Sequence, residues 1–128
     1  MARRRSVPLT EVEQRLMEIV WATGPATVGQ VVEALPEMDR PAYNTVQTMM
    51  KILERKGYVK HRNEGRAFVY QAVVDREAAA RTALSQVVQR FFGGSPRALA
   101  LNLIQGDQLT EDELDELART IERAKDDE

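Results

Sequence analysis

The sequence predicts a mainly α fold with one small β-hairpin. Three observations lead there. Apolar residues recur at three- and four-residue spacing through most of the chain. Two short alternating runs, Tyr58–Arg62 and Ala67–Ala72, flank the link Asn63-Glu64-Gly65-Arg66, where glycine favours a tight turn. Ser, Thr and Asp caps and Gly or Pro stops punctuate the helical stretches. The predicted order is helix, helix, helix, hairpin, then three more helices.

The first helix opens at Thr10, because Thr10 and Glu13 have the spacing of a capping box. Val12, Leu16, Ile19 and Val20 line one face, and Gly24-Pro25 stops the helix after Trp21. Ala26 is extended at most. Thr27 with Gln30 repeats the box and starts a short helix with Val28, Val31, Val32 and Leu35 on its apolar side, ended by Pro36. A third helix is expected to start near Pro41, a residue favoured in a first turn, and to run to Lys56. Gly57 supplies the left-handed stop. Its apolar stripe is Val46, Met49, Met50 and Leu53. Trp21, Tyr43, Tyr58, Phe68 and Tyr70 are expected to pack this first half.

After Val74 the pattern is wholly helical. Asp75 caps a helix carrying Ala80, Leu84, Val87, Val88 and Phe91, stopped by Gly93-Gly94. Ser95-Pro96 starts the next. Ala98–Ile104 is then apolar almost all round, interrupted by Asn102, and Gly106-Asp107 breaks it. Thr110 and Glu113 form a third capping box, with Leu109 and Leu114 placed as a hydrophobic staple. Leu114, Leu117, Ala118 and Ile121 line the last helix. The acidic end Lys125–Glu128 is expected to be disordered. The first part, 1–74, reads as a winged helix-turn-helix. The second, 75–128, reads as a three-helix region with more apolar face than a small monomer covers, so a second copy is its simplest cover. Leu84, Val88, Phe91, Leu99, Leu103, Ile104, Leu114, Leu117 and Ile121 are the candidate dimerisation residues.

Composition limits the chemistry. The chain has 128 residues, 43% hydrophobic and 30% charged, enough for one modest core. It has no cysteine and one histidine, which excludes thiol catalysis, disulfides, iron–sulfur clusters and histidine-rich metal sites. No cofactor or metal is expected. No apolar run approaches the roughly 18 residues of a membrane span, and the basic start MARRRSVPLT lacks the apolar stretch of a secretory signal. A cytoplasmic protein without a membrane partner is expected. An enzyme is not: Glu11, Glu13 and the acidic pairs of 111–116 sit at capping and solvent positions. There is no histidine–nucleophile pair and no glycine-rich phosphate loop.

Charge is split along the chain. Residues 1–74 hold 11 Lys/Arg against 8 Asp/Glu, whereas 75–128 hold 7 against 12. Within 40–66 there are 7 basic and 2 acidic residues. Such a basic segment suits a polyanion. At roughly 100° per residue, Asn44, Thr48, Lys51 and Arg55 fall opposite the apolar stripe of the third helix. Thr45 and Gln47 flank them toward the N-terminal end. That face carries neither aliphatic side chain nor carboxylate. Asn and Gln can bond adenine edges, and Thr can bond either way or place its methyl on thymine. In helix-turn-helix proteins the start of the second helix meets the bases. Asn44, Thr45, Gln47 and Thr48 are therefore the candidate base readers. Lys51 and Arg55, with Lys60, Arg62 and Arg66 of the hairpin, are the candidate backbone contacts. Arg3-Arg4-Arg5 is either an arm on double-stranded DNA or only a frayed terminus. His61 reads as a surface or hydrogen-bonded histidine. The alternative to DNA is a winged helix that binds protein, whose mark would be an apolar or acidic outer face on the third helix.

Three stretches carry a family resemblance: LTEVEQRLMEIVWATGPATVGQVVEAL, AYNTVQTMMKILERKGYVKHRNEGRAFVYQAVV and FFGGSPRALALNLIQGDQLTEDELDEL. Together, from Val7 to Arg123, they resemble the penicillinase-repressor family, the repressors of β-lactamase and methicillin resistance. The resemblance implies a homodimeric transcriptional repressor that binds an inverted-repeat operator through the winged helix and pairs through its C-terminal helices. It places the family's base-contacting positions on Asn44, Thr45, Gln47 and Thr48. It also implies relief of repression by a sensor-protease system that cuts after an asparagine, here the bond Asn102–Leu103. Leu103 stands where the family has an aromatic residue. The cysteine cluster of the copper-responsive cousins has no counterpart here.

Overall fold

The computed structural model describes residues 7–127. The Arg3-Arg4-Arg5 arm and Glu128 lie outside the described residues. Six helices and three strands follow in the order α1 (Glu11–Thr23), β1 (Ala26–Thr27), α2 (Val28–Ala34), α3 (Tyr43–Arg55), β2 (Val59–Glu64), β3 (Ala67–Ala72), α4 (Arg76–Phe91), α5 (Pro96–Gln105) and α6 (Glu111–Asp126). By compactness the chain divides after Ser85, inside α4.

The three capping boxes form as their spacing predicts, at Thr10/Glu13, Thr27/Gln30 and Thr110/Glu113. Each satisfies two backbone N–H groups that the first turn leaves without partners. Asp75 accepts from the Ala78 N–H at 2.8 Å, and Ser95 from the Ala98 N–H at 3.0 Å. The hairpin is longer than expected. Asn63 and Glu64 join β2, and Gly65-Arg66 alone makes the turn, with Gly65 at φ 60°. A two-residue hairpin turn needs such positive φ, which glycine adopts without a β-carbon clash.

Four expectations need correction. First, α3 begins at Tyr43, not near Pro41. Asp39 turns at φ 62°, and Arg40 donates from Nε and Nη2 to the Leu35 carbonyl and from Nη2 to that of Glu33. This holds Pro41 in the connection, and extended Ala42 becomes the cap. Second, a third strand exists. Ala26 and Thr27 pair with Tyr70 and Val69, giving the sheet order β1-β3-β2. Third, Tyr43 and Phe68 are exposed rather than packed, whereas Tyr58 and Tyr70 are fully buried. Fourth, α6 continues to Asp126. Acidic Glu111, Asp112 and Glu113 in its first turn and basic Arg123 and Lys125 in its last complement the helix dipole at both ends.

The core of the first unit joins Leu16, Met17 and Val20 of α1, Val31 of α2, and Val46, Met50 and Leu53 of α3 with Tyr58 and Tyr70 of the wing. Val12, expected on that face, is partly exposed, and Met17 takes the place. Trp21 donates its indole N–H to the Val74 carbonyl at 2.9 Å, tying α1 to the chain beyond the wing.

One charge is buried among these residues. Glu13 accepts from Lys56 Nζ at 2.6 Å, and Tyr58 Oη donates to the Val7 carbonyl at 2.6 Å beside it. Burial pushes the Glu13 carboxyl up. The Lys56 hydrogen bond, the Thr10 N–H, the Lys56 charge and the Thr10 hydroxyl outweigh it and hold the group below its usual 4.5. The stability this adds is fully present above that usual value and is lost as pH falls through the lower folded value. Glu13→Ala should cost about 2–3 kcal/mol at neutral pH, because it strands Lys56 and removes half of a capping box. Thermal melts should show the wild type losing stability below about pH 4.5 more steeply than Glu13→Gln. Parallel pH curves would contradict this assignment.

Candidate nucleic-acid interface

Pro36 stops α2, and the Arg40 clamp on its last carbonyls fixes the turn into α3. Behind α3, Val46, Met50 and Leu53 are completely buried. Those contacts set the helix rotation. Asn44, Thr45, Thr48, Lys51 and Arg55 are thereby exposed together, with Gln47 half-buried at their edge. The six candidates of α3 thus share one outer face, as the spacing predicts.

Thr48 is more restricted than its residue type suggests. Its hydroxyl donates to the Asn44 carbonyl at 3.0 Å. A threonine hydroxyl has one hydrogen, so the outward-facing group keeps acceptor lone pairs and a methyl but no free donor. Guanine offers only acceptors in the major groove. Thr48 thus suits a thymine methyl or the amino group of adenine or cytosine.

Of the seven basic residues in 40–66, two have internal work. Arg40 caps α2, and Lys56 neutralises Glu13. The other five are the predicted backbone candidates, and all are exposed. Strand alternation puts Lys60 and Arg62 on one face of the wing and His61 on the other, while Arg66 stands at the tip. Arg62 is partly engaged, with Glu64 at 2.7 Å and the Gln71 side-chain oxygen at 3.2 Å. Lys51, Arg55, Lys60 and Arg66 make no ion pair among the described residues. The residue that sequence reasoning left without a role is Glu54. It lies beside that outer face and meets His61 of the wing. Neither residue signals this alone, because seven positions separate them across a turn.

In α4 to α6, Leu84, Phe91, Leu103, Ile104, Leu117 and Ile121 are exposed, Phe91 by 71%. Leu99 and Leu114 are half-buried. Val88 is 7% exposed, already covered by its own chain. Asn102 is exposed inside α5, and its carbonyl accepts the Gly106 N–H at 2.9 Å. Among the described residues no group of three or more His, Asp or Glu side chains could hold a metal ion. No helix there is long and apolar enough to cross a membrane.

The chain matches the family model of the penicillinase repressor over residues 9–123. It is 28% identical to the penicillinase repressor of Bacillus licheniformis over 117 residues, 91% of each chain. It is 32% identical to the transcriptional regulator BlaI of Mycobacterium tuberculosis over 115 residues, 88% of this chain and 82% of that one. The solution structure of the DNA-binding domain of the repressor BlaI is similar at a TM-score of 0.52 and 26% identity, covering 60% of this chain and 93% of that one. The Bacillus licheniformis BlaI monomer in complex with the blaP half-operator is similar at 0.50 and 26% identity, covering 59% of this chain and 93% of that one.

Proposed function

Because the chain belongs to the penicillinase repressor family, we propose that it acts as a cytoplasmic homodimer on an inverted-repeat operator, one half-site per protomer. It is a DNA-binding transcriptional repressor. The observation that carries the finer reading is the outer face of α3, where three uncharged hydrogen-bonding side chains and two cations stand exposed with no carboxylate among them. Asn44, Thr45, Gln47 and Thr48 read bases. Lys51, Arg55, Lys60, Arg62 and Arg66 hold phosphates. Residues 1–74 form the reading domain and 75–128 the pairing region, and two copies set the spacing of two reading helices. The uncovered stripes Leu84/Phe91 on α4 and Leu117/Ile121 on α6 support pairing. The bond Asn102–Leu103 is the proposed cleavage point for a sensor-protease system. It lies inside α5, so the last turn of that helix has to open before a protease can take it in extended form.

Competition gel shifts on the DNA upstream of the chain's own gene, at two salt concentrations, test this reading. A competitor-resistant shift that weakens steeply with salt is expected, because each phosphate contact releases counterion. No shift there or on genomic fragments would reject it. Lys60→Ala should weaken specific and non-specific binding alike and reduce the salt slope by about one. Arg62→Ala should cost less, because Glu64 and Gln71 already share its guanidinium.

A further inference from the structure

Strand β2 leaves the core early. Val59 is buried, but β2 is exposed from Lys60 to Glu64. Beyond Val59, one hydrogen-bonded pair among the described residues links the wing to α3. Both carboxylate oxygens of Glu54 lie against His61 Nδ1, at 2.7 and 2.9 Å. A carboxylate only accepts, so Nδ1 carries the proton. The imidazole is stacked on Phe68 with centroids 4.2 Å apart and planes 16° apart. It also tilts against Tyr70 at 5.6 Å. One side chain thus joins α3, β2 and β3: burial of Val69 and Tyr70 holds β3 to the core, and the His61 contact adds a polar tie for β2, which is exposed beyond Val59.

The position bears on DNA. Glu54 is seven residues after Gln47, so the two lie on nearly the same line of the helix. A free carboxylate there would repel phosphate beside the reading face. We propose that Glu54 and His61 are positioning residues for DNA binding: the pair sets the wing against α3, and protonation of His61 both strengthens that tie and cancels the carboxylate. This rests on the repressor reading above.

The groups facing His61 are Glu54 from α3, and Phe68 and Tyr70 from β3. Tyr43 of α3 lies near Tyr70, and the Tyr70 hydroxyl is pushed up by burial and by the charges of Glu54 and Tyr43, so it stays neutral at ordinary pH. Lys60 and Arg62 flank His61 but alternate to the other face. Lys51, three residues before Glu54, makes no ion pair with it. Glu54 is therefore the one carboxylate beside the ring among the described residues. His61 is the chain's single histidine.

The test uses the full chain, a duplex enriched from random sequence by the wild type, and the variants Glu54→Gln and His61→Gln. Wild-type affinity should rise about three- to tenfold from pH 8 to pH 6, at most one proton's worth of linkage. Both variants should bind more weakly at pH 6, lose that slope, and lose hydroxyl-radical protection where the wing lies. The α-amino group titrates in the same range, and the His61 variant separates its share. Variants that keep the wild-type slope overturn the proposal, whether or not their affinity falls. Failure of the wild type to enrich any duplex defeats the repressor reading instead. In that case amide spectra of the free chain still decide: wing and α3 resonances should shift together between pH 8 and 6 in the wild type and not in Glu54→Gln. Identical shifts in both overturn the latch without reference to DNA.

Discussion

Alanine at both Asn44 and Gln47 is expected to lower affinity for specific DNA by about a hundredfold or more, while changing binding to random-sequence DNA by about twofold or less. A well-placed bidentate contact between an amide side chain and adenine discriminates by about 1–3 kcal/mol, and two separated contacts add roughly. Asn44 is exposed and Gln47 half-buried, and neither makes a side-chain hydrogen bond among the described residues. Alanine is also the better helix former. The melting temperature should therefore stay within a few degrees, which separates loss of reading from loss of fold. Thr48 refines the same experiment. Thr48→Val keeps the methyl and should bind nearly as the wild type where thymine is read. Thr48→Ser keeps the hydroxyl and should weaken. Replacing thymine by uracil in the duplex should reproduce the Thr48→Ser loss.

The second large effect concerns pairing. Phe91→Glu together with Ile121→Asp is expected to leave a monomer in sedimentation, and to weaken binding to a two-half-site operator by about 10²–10⁴-fold. Phe91 and Ile121 are among the most exposed large apolar residues of the chain. Among α5 and α6 no residue is buried within the single chain. A charge at either position meets water in the monomer at little cost, but would be desolvated in an apolar interface. Binding to a single half-site should change little, because α3 and the wing keep their own core.

Much of this was legible in the residues. Capping boxes and glycine stops are local chemistry, and Thr10, Thr27, Thr110 and Gly57 act where their spacing puts them. The exposed polar face of α3 was legible because helical rotation places Asn44, Thr48, Lys51 and Arg55 opposite Val46, Met50 and Leu53. What escaped is tertiary. A two-residue strand such as Ala26–Thr27 has no periodicity to detect; only its partner β3 defines it. The helix-like Pro41 was overruled by Arg40, whose side chain turns back onto α2. The excess of positive charge in 40–66 is plain in the sequence, but its division between fold and surface is not. Arg40 and Lys56 serve the fold, and only the contacts of Leu35, Glu33 and Glu13 reveal that. The Glu54–His61 pair escaped for the same reason, since its partners meet only after Gly57 turns the chain.

The most direct test of the central claim is selection of duplexes from a random library by the full chain, followed by sequencing. The expected result is an inverted repeat whose half-sites are centred about one helical turn apart, or a multiple of it. That enrichment should be lost when Asn44 and Gln47 are alanine. A pool that stays random, or the same motif enriched by the doubly substituted chain, would contradict reading by α3.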